Sequence, residues 1–459
     1  MLTGKQYRES LVDGREVFYD GERVQVTEHP IFERAIRTVA DSYDRYYQPE
    51  PRAISDYLKI PSTVEELRAR GELKADLLTS GSYSSLMTLL TSADRIESIR
   101  PQGSEAIRNY VRDMQLQDLR LVECITDAKG DRAKRPGQQE DPDAYLRVVE
   151  RRADGVVVNG AKLHITGAPI GHELMTIPTK AMKPGEEDYA IAFSIPVNSQ
   201  GIKVINVTSE EPGMNFSDMP LSEFKHDPVG FVIFDHVFVP NERIFLDGEV
   251  EAAASFAHAL GLWVRMNGLK NMADEADLMC GFAQLMAEAN GLDRVDHIKD
   301  KIAELAIHAT LVRATLEASI SNSKITVDGV VVPDEQYANA GKYQAAAFRT
   351  AMLQHIQDIA GGSLVTAPSD RDLKNADVGH FVRKYMSTKQ SVDGAYRLKL
   401  FHAVKDLTSG AYAGNQAVAQ LHAGGGLFAQ RTVTRGRYDM AGARLKALEA
   451  AGLLDSTEI

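Results

Sequence analysis

The sequence has little cysteine: Cys124 and Cys280 are the only two in 459 residues. Two thiols build neither a disulfide framework nor an all-cysteine metal site, and such sparse use suits a reducing cytoplasm. An excess of positive charge is also missing, because 52 Lys and Arg face 64 Asp and Glu, a net charge of −12. That balance repels polyphosphate and offers no counterion-release drive, so no nucleic-acid partner is expected. The longest apolar stretches, such as Tyr189 to Val197 and Val229 to Phe234, fall far short of the roughly 20 residues that span a bilayer. Charges interrupt the amino terminus, Met1-Leu-Thr-Gly-Lys-Gln-Tyr-Arg-Glu-Ser10, and leave no hydrophobic signal region, so export is not expected. Gly-x-Gly-x-x-Gly, the phosphate loop, His-Glu-x-x-His, Cys-x-x-Cys and Gly-x-Ser-x-Gly are absent as well. With them go the fingerprints of nicotinamide-binding Rossmann folds, P-loop proteins, easily read zinc enzymes and serine hydrolases. The chain is therefore not expected to bind its own NADH.

What is present is a near-average globular composition, 44% hydrophobic and 25% charged, and a length that predicts two to three domains of about 100–200 residues. Periodicity divides the chain into three zones. Residues 1–120 read as mainly helical. Thr3 is placed to cap a helix through Leu11, Asp20-Gly21 reads as a hairpin turn, and helical patterns resume from His29. Residues 121–247 switch to short β runs at 145–149, 156–158, 162–165, 189–195, 202–207 and 229–239, with Asp154-Gly155 and Asn159-Gly160 as turns. Residues 248–459 predict long helices at 250–291, 295–324, 335–361 and 387–425. Helices of this length need neighbours along their whole extent, which predicts a bundle and a homo-oligomer.

Four polar, turn-forming clusters could carry chemistry. Glu123-Cys-Ile-Thr-Asp-Ala-Lys-Gly-Asp-Arg132 enters the β zone and reads either as a solvated, salt-bridged loop or as hydroxyl, ammonium and guanidinium donors for an anionic cofactor. His164-Ile-Thr-Gly-Ala-Pro169 ends a strand; Gly167 frees the backbone to approach a ligand and Thr166 supplies a short donor, or the segment is an ordinary turn. Gln357-Asp-Ile-Ala-Gly-Gly-Ser363 and His422-Ala-Gly-Gly-Gly426 are helix ends whose glycines serve as caps or admit a ligand face. His355 and Asp358 share a helix face, a spacing that surface pairs commonly show.

Taken in this order, the clusters resemble the flavin-dependent 4-hydroxyphenylacetate 3-hydroxylase family, whose relatives include 4-hydroxybutyryl-CoA dehydratase/vinylacetyl-CoA isomerase. The resemblance rests on Thr126 to Arg132, Asp154 to Gly167, Val232-Ile-Phe-Asp-His-Val-Phe-Val-Pro-Asn-Glu-Arg-Ile-Phe245 and Asp358-Ile-Ala-Gly-Gly-Ser-Leu-Val-Thr-Ala-Pro-Ser369. It implies an α+β, acyl-CoA-dehydrogenase-like architecture: a helical amino-terminal domain, a central β-barrel and a carboxy-terminal four-helix bundle, assembled as a tetramer. It further implies FAD between the β domain and the bundle, with Thr166 near the reactive edge. Glu123, Thr126, Lys129, Asp131, Arg132, His164 and Gly167 would line the cofactor. Gln357, Gly361, Gly362 and His422 would approach the rest of it, from this subunit or a neighbour.

The resemblance is incomplete in an informative way. The positions matching the dehydratase's iron–sulfur ligands are Ala75, Thr79, Val264 and Asn271, none of them a soft ligand, so no cluster or other metal is expected. The positions of its acid–base glutamates fall near Val229 and Ala419. The hydroxylase's phenol-binding arginine falls near Leu78, while Tyr83 lies where a substrate-contacting tyrosine is expected. The expectation is a two-component monooxygenase that takes reduced FAD from a separate NAD(P)H:flavin reductase, uses O2 as co-substrate and hydroxylates a small organic substrate, phenols among the candidates, held by Tyr83 and Arg265. A redox-neutral lyase or isomerase acting on an acyl-CoA, and a non-catalytic flavin-binding paralogue, are the alternatives.

Overall fold

The computed structural model describes residues 1–74, 76–208, 215–224, 227–388 and 391–453. Thr3 does cap the first helix, α1 (Gly4–Ser10): its hydroxyl accepts the Gln6 N–H at 3.2 Å, and Gln6 returns the bond to the Thr3 N–H at 2.8 Å. The strands β1 (Val17–Tyr19) and β2 (Glu22–Val24) form the expected hairpin, with Asp20 and Gly21 both at positive φ. The helices α2 (Pro30–Tyr46), α3 (Val64–Gly71), α4 (Leu77–Ile96) and α5 (Pro101–Gln117) follow. Helix α4 buries a run of hydroxyls, among them Thr79, Ser82, Ser84, Ser85, Thr88 and Thr91, instead of a purely apolar face.

The central strands are β3 (Leu121–Cys124), β4 (Arg147–Arg151), β5 (Gly155–Thr166), β6 (Glu173–Thr176), β7 (Ile191–Pro196), β8 (Ile202–Asn206), β9 (Val229–Pro240) and β10 (Ile244–Asp247). They form a six-stranded sheet in the order β2-β1-β8-β9-β5-β4 and a four-stranded sheet in the order β10-β7-β6-β3. The expected β-barrel is corrected by this topology: among the described residues the two sheets do not close. Closure requires the two open edges to pair. Here the hairpin β1–β2 extends one sheet instead, and the two layers pack face to face, with Phe193 edge-on to Phe234 at 6.0 Å.

Asn159-Gly160 is also not a turn. It lies inside the single strand β5 as a bulge in the pairing with β9, where Gly160 adopts φ 134°. A side chain at Gly160 would meet the Leu146 backbone at 2.7 Å, and the Asn159 amide instead donates to Asp143 at 2.6 Å.

The last zone holds α6 (Ala253–Asn290), α7 (Asp296–Ser321), the short ladder β11 (Lys324–Ile325) and β12 (Val331–Val332), and α8 (Glu335–Ala360). Then come α9 (Ser363–Thr366), α10 (Asp370–Lys374), α11 (Gly379–Met386), α12 (Gly394–Ser409), α13 (Ala411–His422), α14 (Leu427–Arg437) and α15 (Met440–Ala450). The helix expected at 387–425 is therefore two helices broken at Gly410, which closes α12 by donating to the Lys405 carbonyl at 2.9 Å. A Cβ at Gly410 would strike the Asp406 carboxylate at 2.9 Å; that buried carboxylate is held in place by the backbone N–H groups of Leu221 and Ser222. The helices α6, α7 and α8 pack along one another, and their apolar core splits in two. One half, around Trp263, Leu269 and Leu316, is continuous with α4 and α5; the other surrounds Met286, Ile356 and Phe401. Among the described residues no helix is long and apolar enough to cross a membrane.

Candidate active site

Strand β3, the end of β5 and the first turns of α4 converge. Ser82 stitches them: its hydroxyl accepts the Leu121 N–H at 2.9 Å and donates to the Leu78 carbonyl at 2.7 Å. Gly167 sits against this junction at φ 83°, its N–H donating to the Pro228 carbonyl at 2.7 Å, and a Cβ there would lie 2.6 Å from the Leu78 side chain. Close backbone approach therefore requires glycine. Thr166 pairs in register with Val229, and its hydroxyl has no partner among the described residues.

Glu123 projects from β3 toward α4, where the Ser84 hydroxyl donates to its Oε1. Burial pushes its carboxyl up to about 7, with the Ser84 bond acting in the opposite direction. Such a group takes up or releases a proton near neutral pH. One residue away on α4, Tyr83 is buried edge-on to Trp263 at 5.8 Å. The Arg70 guanidinium lies 4.0 Å from the Tyr83 ring centroid and 4.7 Å from that of Tyr57. The Tyr83 hydroxyl and Arg70 Nε are buried without a hydrogen-bond partner among the described residues. Burial drives the Tyr83 phenol well above its ordinary range and pulls Arg70 down.

The turn after β3 is built differently from its sequence reading. Its anchor is Asp127, which pairs with Lys162 of β5 at 2.8 Å, both side chains being buried. The Thr126 carbonyl accepts the Leu163 N–H at 2.7 Å. Lys129 is half-buried at φ 74°; burial lowers its pKa first, then the charge of Arg132, with Asp127 opposing. Neither Lys129 nor Arg132 has a carboxylate partner among the described residues. Asp131 is exposed, and its carboxylate accepts the Ala133 N–H at 2.9 Å, which makes it part of the turn's own scaffold. His164 is exposed at φ 60° in the bulge between Lys162 and Ile165.

On the bundle side, Arg265 is buried in α6 and donates from Nε to the Gly424 carbonyl at 2.7 Å. His422 is exposed at the end of α13. Gln357, Gly361 and Gly362 stand apart at the end of α8, where the Gln357 amide donates to the Thr408 carbonyl at 3.2 Å. Gln357 is about 22 Å along the α8 axis from Lys342, which lies beside the 420–426 segment. Glu123, Thr126, Lys129, Thr166, Gly167 and Tyr83 thus gather around β3, β5 and α4. Arg265 and His422 flank the 420–426 turn, and Gln357, Gly361 and Gly362 are brought to neither place within one chain. His355 and Asp358 separate too, His355 to Glu304 at 2.7 Å and Asp358 to Lys301 at 2.8 Å.

Asp127, Lys162, Arg70 and Trp263 escaped the sequence reading. A lysine inside a strand and an arginine in a short helix carry no pattern that distinguishes them from solvated charges. Of the positions matching cluster ligands, Thr79 donates to Asp76, Val264 packs beside Gly424, Asn271 is exposed, and Ala75 lies outside the described residues. The donor set at the β3–β5 turn, two cations without carboxylate partners, a free threonine hydroxyl and a glycine cradle, fits an anionic, planar cofactor such as FAD. A depression of about 540 Å³ beside Gly130 is lined by Asp141, Asp143 and Asp235 and has the wrong charge for that role.

The 4-hydroxyphenylacetate 3-hydroxylase N-terminal family matches residues 3–246, and its C-terminal counterpart matches residues 253–452. The oxygenase component of 4-hydroxyphenylacetate 3-monooxygenase from Thermus thermophilus is 30% identical over 90% of each chain. The 4-hydroxybutyryl-CoA dehydratase/vinylacetyl-CoA-Delta-isomerase of Clostridium aminobutyricum is 28% identical over 94% of this chain and 95% of its own. Among solved structures, an oxygen-tolerant archaeal 4-hydroxybutyryl-CoA dehydratase from N. maritimus superposes with a TM-score of 0.88 at 26% identity, covering 100% of this chain and 96% of its own. The oxygenase component of 4-hydroxyphenylacetate 3-monooxygenase complexed with FAD and 4-hydroxyphenylacetate gives 0.86 at 26% identity, covering 99% of both. Glutaryl-coenzyme A dehydrogenase, at 0.50 and 16% over 98% of this chain and 94% of its own, shares the fold alone. With family matches spanning nearly the whole chain, this protein belongs to the 4-hydroxyphenylacetate 3-hydroxylase family.

Proposed function

We propose that the chain is the oxygenase of a two-component monooxygenase, taking reduced FAD from a separate NAD(P)H:flavin reductase and hydroxylating a small, phenolic substrate. The observation that carries this reading is the buried Tyr83 hydroxyl. It has no partner among the described residues; its ring packs against Arg70 and Trp263, and Tyr83 is one residue from the serine that holds Glu123. Several relatives named as monooxygenase components support it. When bound, reduced FAD supplies the electrons that activate O2. The chain's own residues then do the rest. Lys129 and Arg132 would meet the cofactor's negative charge, and Thr166 would supply a hydrogen-bond donor to it. Glu123 holds or accepts a proton, while Tyr83 and Arg265 face the substrate in a site closed to water. The functional division follows residues 1–120, 121–247 and 248–459. Gln357, Gly361, Gly362 and His422 act across a subunit boundary of a homotetramer, a reading supported by the exposed side chains of Phe381, Tyr385, Val418 and Phe428. The enzyme works in the cytoplasm.

The dehydratase relative at 28% identity favours a second reading, a redox-neutral lyase or isomerase acting on an acyl-CoA. The test mixes protein carrying reduced FAD with oxygenated buffer, follows reoxidation by absorption, and traces labelled oxygen into phenols. Reoxidation paced by the protein, with label in the product, is expected. Reoxidation matching free flavin, with acyl-CoA turnover and no oxygen uptake, would establish the second reading. No flavin affinity at all would leave a non-catalytic paralogue.

A further inference from the structure

The bundle treats its buried cations unequally. Arg349 on α8 is neutralised by Glu275 on α6 through two parallel bonds of 3.0 and 2.9 Å. Seven residues earlier on α8, Lys342 is just as buried, yet its ammonium meets only the Gln420 carbonyl, at 2.9 Å. Arg265 on α6, 7% exposed, bonds only through Nε to the Gly424 carbonyl, and its two terminal nitrogens have no hydrogen bond or ion pair among the described residues. The carboxylate whose charge reaches Arg265, Glu335, is already paired with Arg437 at 2.7 Å. Two largely buried cations thus face one segment, residues 420–424, and neither has a carboxylate partner among the described residues. An arrangement of this kind is unfavourable until a negative group enters. Lys342 registers the strain: burial, then the charge of Arg265, brings its pKa down to about 8. Glycine lets the backbone close directly on the guanidinium. A Cβ on Gly261 would lie 3.2 Å from it, one on Gly425 3.4 Å, and one on Gly424 would press on the Arg265 stem at 3.1 Å.

We propose that Arg265 and Lys342, between α6, α8 and the 420–426 turn, form a binding site for the oxyanion of the substrate, a carboxylate or a phosphate group. The forked guanidinium offers paired donors to two oxygens, and the ammonium adds a point charge from the opposite helix. This deepens the monooxygenase reading and rests on it in taking the ligand to be substrate, since the cofactor's phosphates are assigned to Lys129 and Arg132.

Trp263, the sole tryptophan, lies two residues from Arg265 and reports binding without flavin, oxygen or turnover. Titration of its fluorescence with phenylacetate, phenylacetamide and inorganic phosphate is compared across wild type, Lys342→Met and Arg265→Gln, beside FAD affinity and thermal midpoints. Phenylacetate or phosphate should bind at least ten-fold more tightly than phenylacetamide, and either substitution should abolish that preference while FAD affinity is unchanged. Lys342→Met should melt no lower than wild type, because it removes a cation that nothing neutralises. Equal affinity for phenylacetate and phenylacetamide in the wild type overturns the site, as does wild-type anion affinity in both variants. Parallel loss of FAD binding would assign the pair to the cofactor instead. Absence of hydroxylation with the anion preference intact would sink the monooxygenase reading alone.

Discussion

Lys162 Nζ lies 2.8 Å from Asp127 Oδ1, and this buried pair is the corner at which the two sheets are joined. All three ammonium donors are used, and both carboxylate oxygens are bonded. The ammonium also donates to the carbonyls of Ile125 and Ile177 at 2.9 and 3.0 Å, and the carboxylate accepts the Leu146 N–H at 3.0 Å and the Thr179 hydroxyl. A buried pair so fully satisfied tolerates poorly the loss of one partner, which strands the other charge.

Lys162→Met is therefore expected to lose roughly 3–5 kcal/mol of stability, measured by urea unfolding. Flavin affinity should fall with it, because the turn bearing Thr126, Lys129 and Arg132 hangs from Asp127. A loss under about 1 kcal/mol would mean that the corner does not hold the sheets.

Two partly buried groups give opposite pH dependences. The Glu123 carboxyl titrates near 7 when folded and near the ordinary carboxyl value when unfolded, so between about 4.5 and 7 the native state alone holds the proton, and its contribution falls as pH rises. His172 is held neutral, down to about 3, by burial and then by the charges of Arg15 and Arg120. It accepts the Arg120 N–H at Nδ1 and donates from Nε2 to Ser10, whose hydroxyl is committed to the Tyr7 carbonyl. The unfolded chain protonates below about 6.5 and the native state does not, so this contribution falls as pH drops. Glu123→Gln should expose a steep acid loss, and His172→Asn should expose a stability that declines toward neutrality. Urea midpoints at pH 5 and pH 7.5 for both variants check the signs.

Tyr83→Phe keeps the ring against Trp263 and removes a hydroxyl that has no partner among the described residues. Its thermal midpoint should equal or exceed that of the wild type, while the affinity for a phenolic substrate drops about ten-fold, as for one lost charge-assisted bond. A midpoint several degrees lower, with unchanged affinity, would make Tyr83 a core residue.

Thr166→Ala should change stability by less than about 0.5 kcal/mol, since the hydroxyl bonds nothing among the described residues. Reoxidation of bound reduced flavin should nonetheless lose its dependence on the protein. Comparable losses in melting and in flavin chemistry would argue against a role at the reactive edge.

Periodicity located much of this chain. The helices expected at 250–291, 295–324 and 335–361 are α6, α7 and α8 to within a few residues, because an amphipathic stripe is a local property of the chain. Thr3 and Asp20-Gly21 were readable for the same reason: caps and tight turns are settled by neighbours in sequence. The errors came where long-range contacts overrode local signals. Asn159-Gly160 is a strong hairpin signal, yet β9 pairs along the whole of β5 and converts it to a bulge. Gly410 stands in a helical pattern, and the Asp406 carboxylate, bonded across to Leu221 and Ser222, makes it a break.

The order of motifs by itself determined the family, since turn residues and strand ends recur along the chain whatever they pack against. Charge pairing was decided by the tertiary structure alone. Nothing in the letters separates Lys162, which finds Asp127, and Arg349, which finds Glu275, from Lys342 and Arg265, which find only backbone carbonyls. Electrostatic energy depends on distance and burial, and both are properties of elements brought together from far apart in the chain.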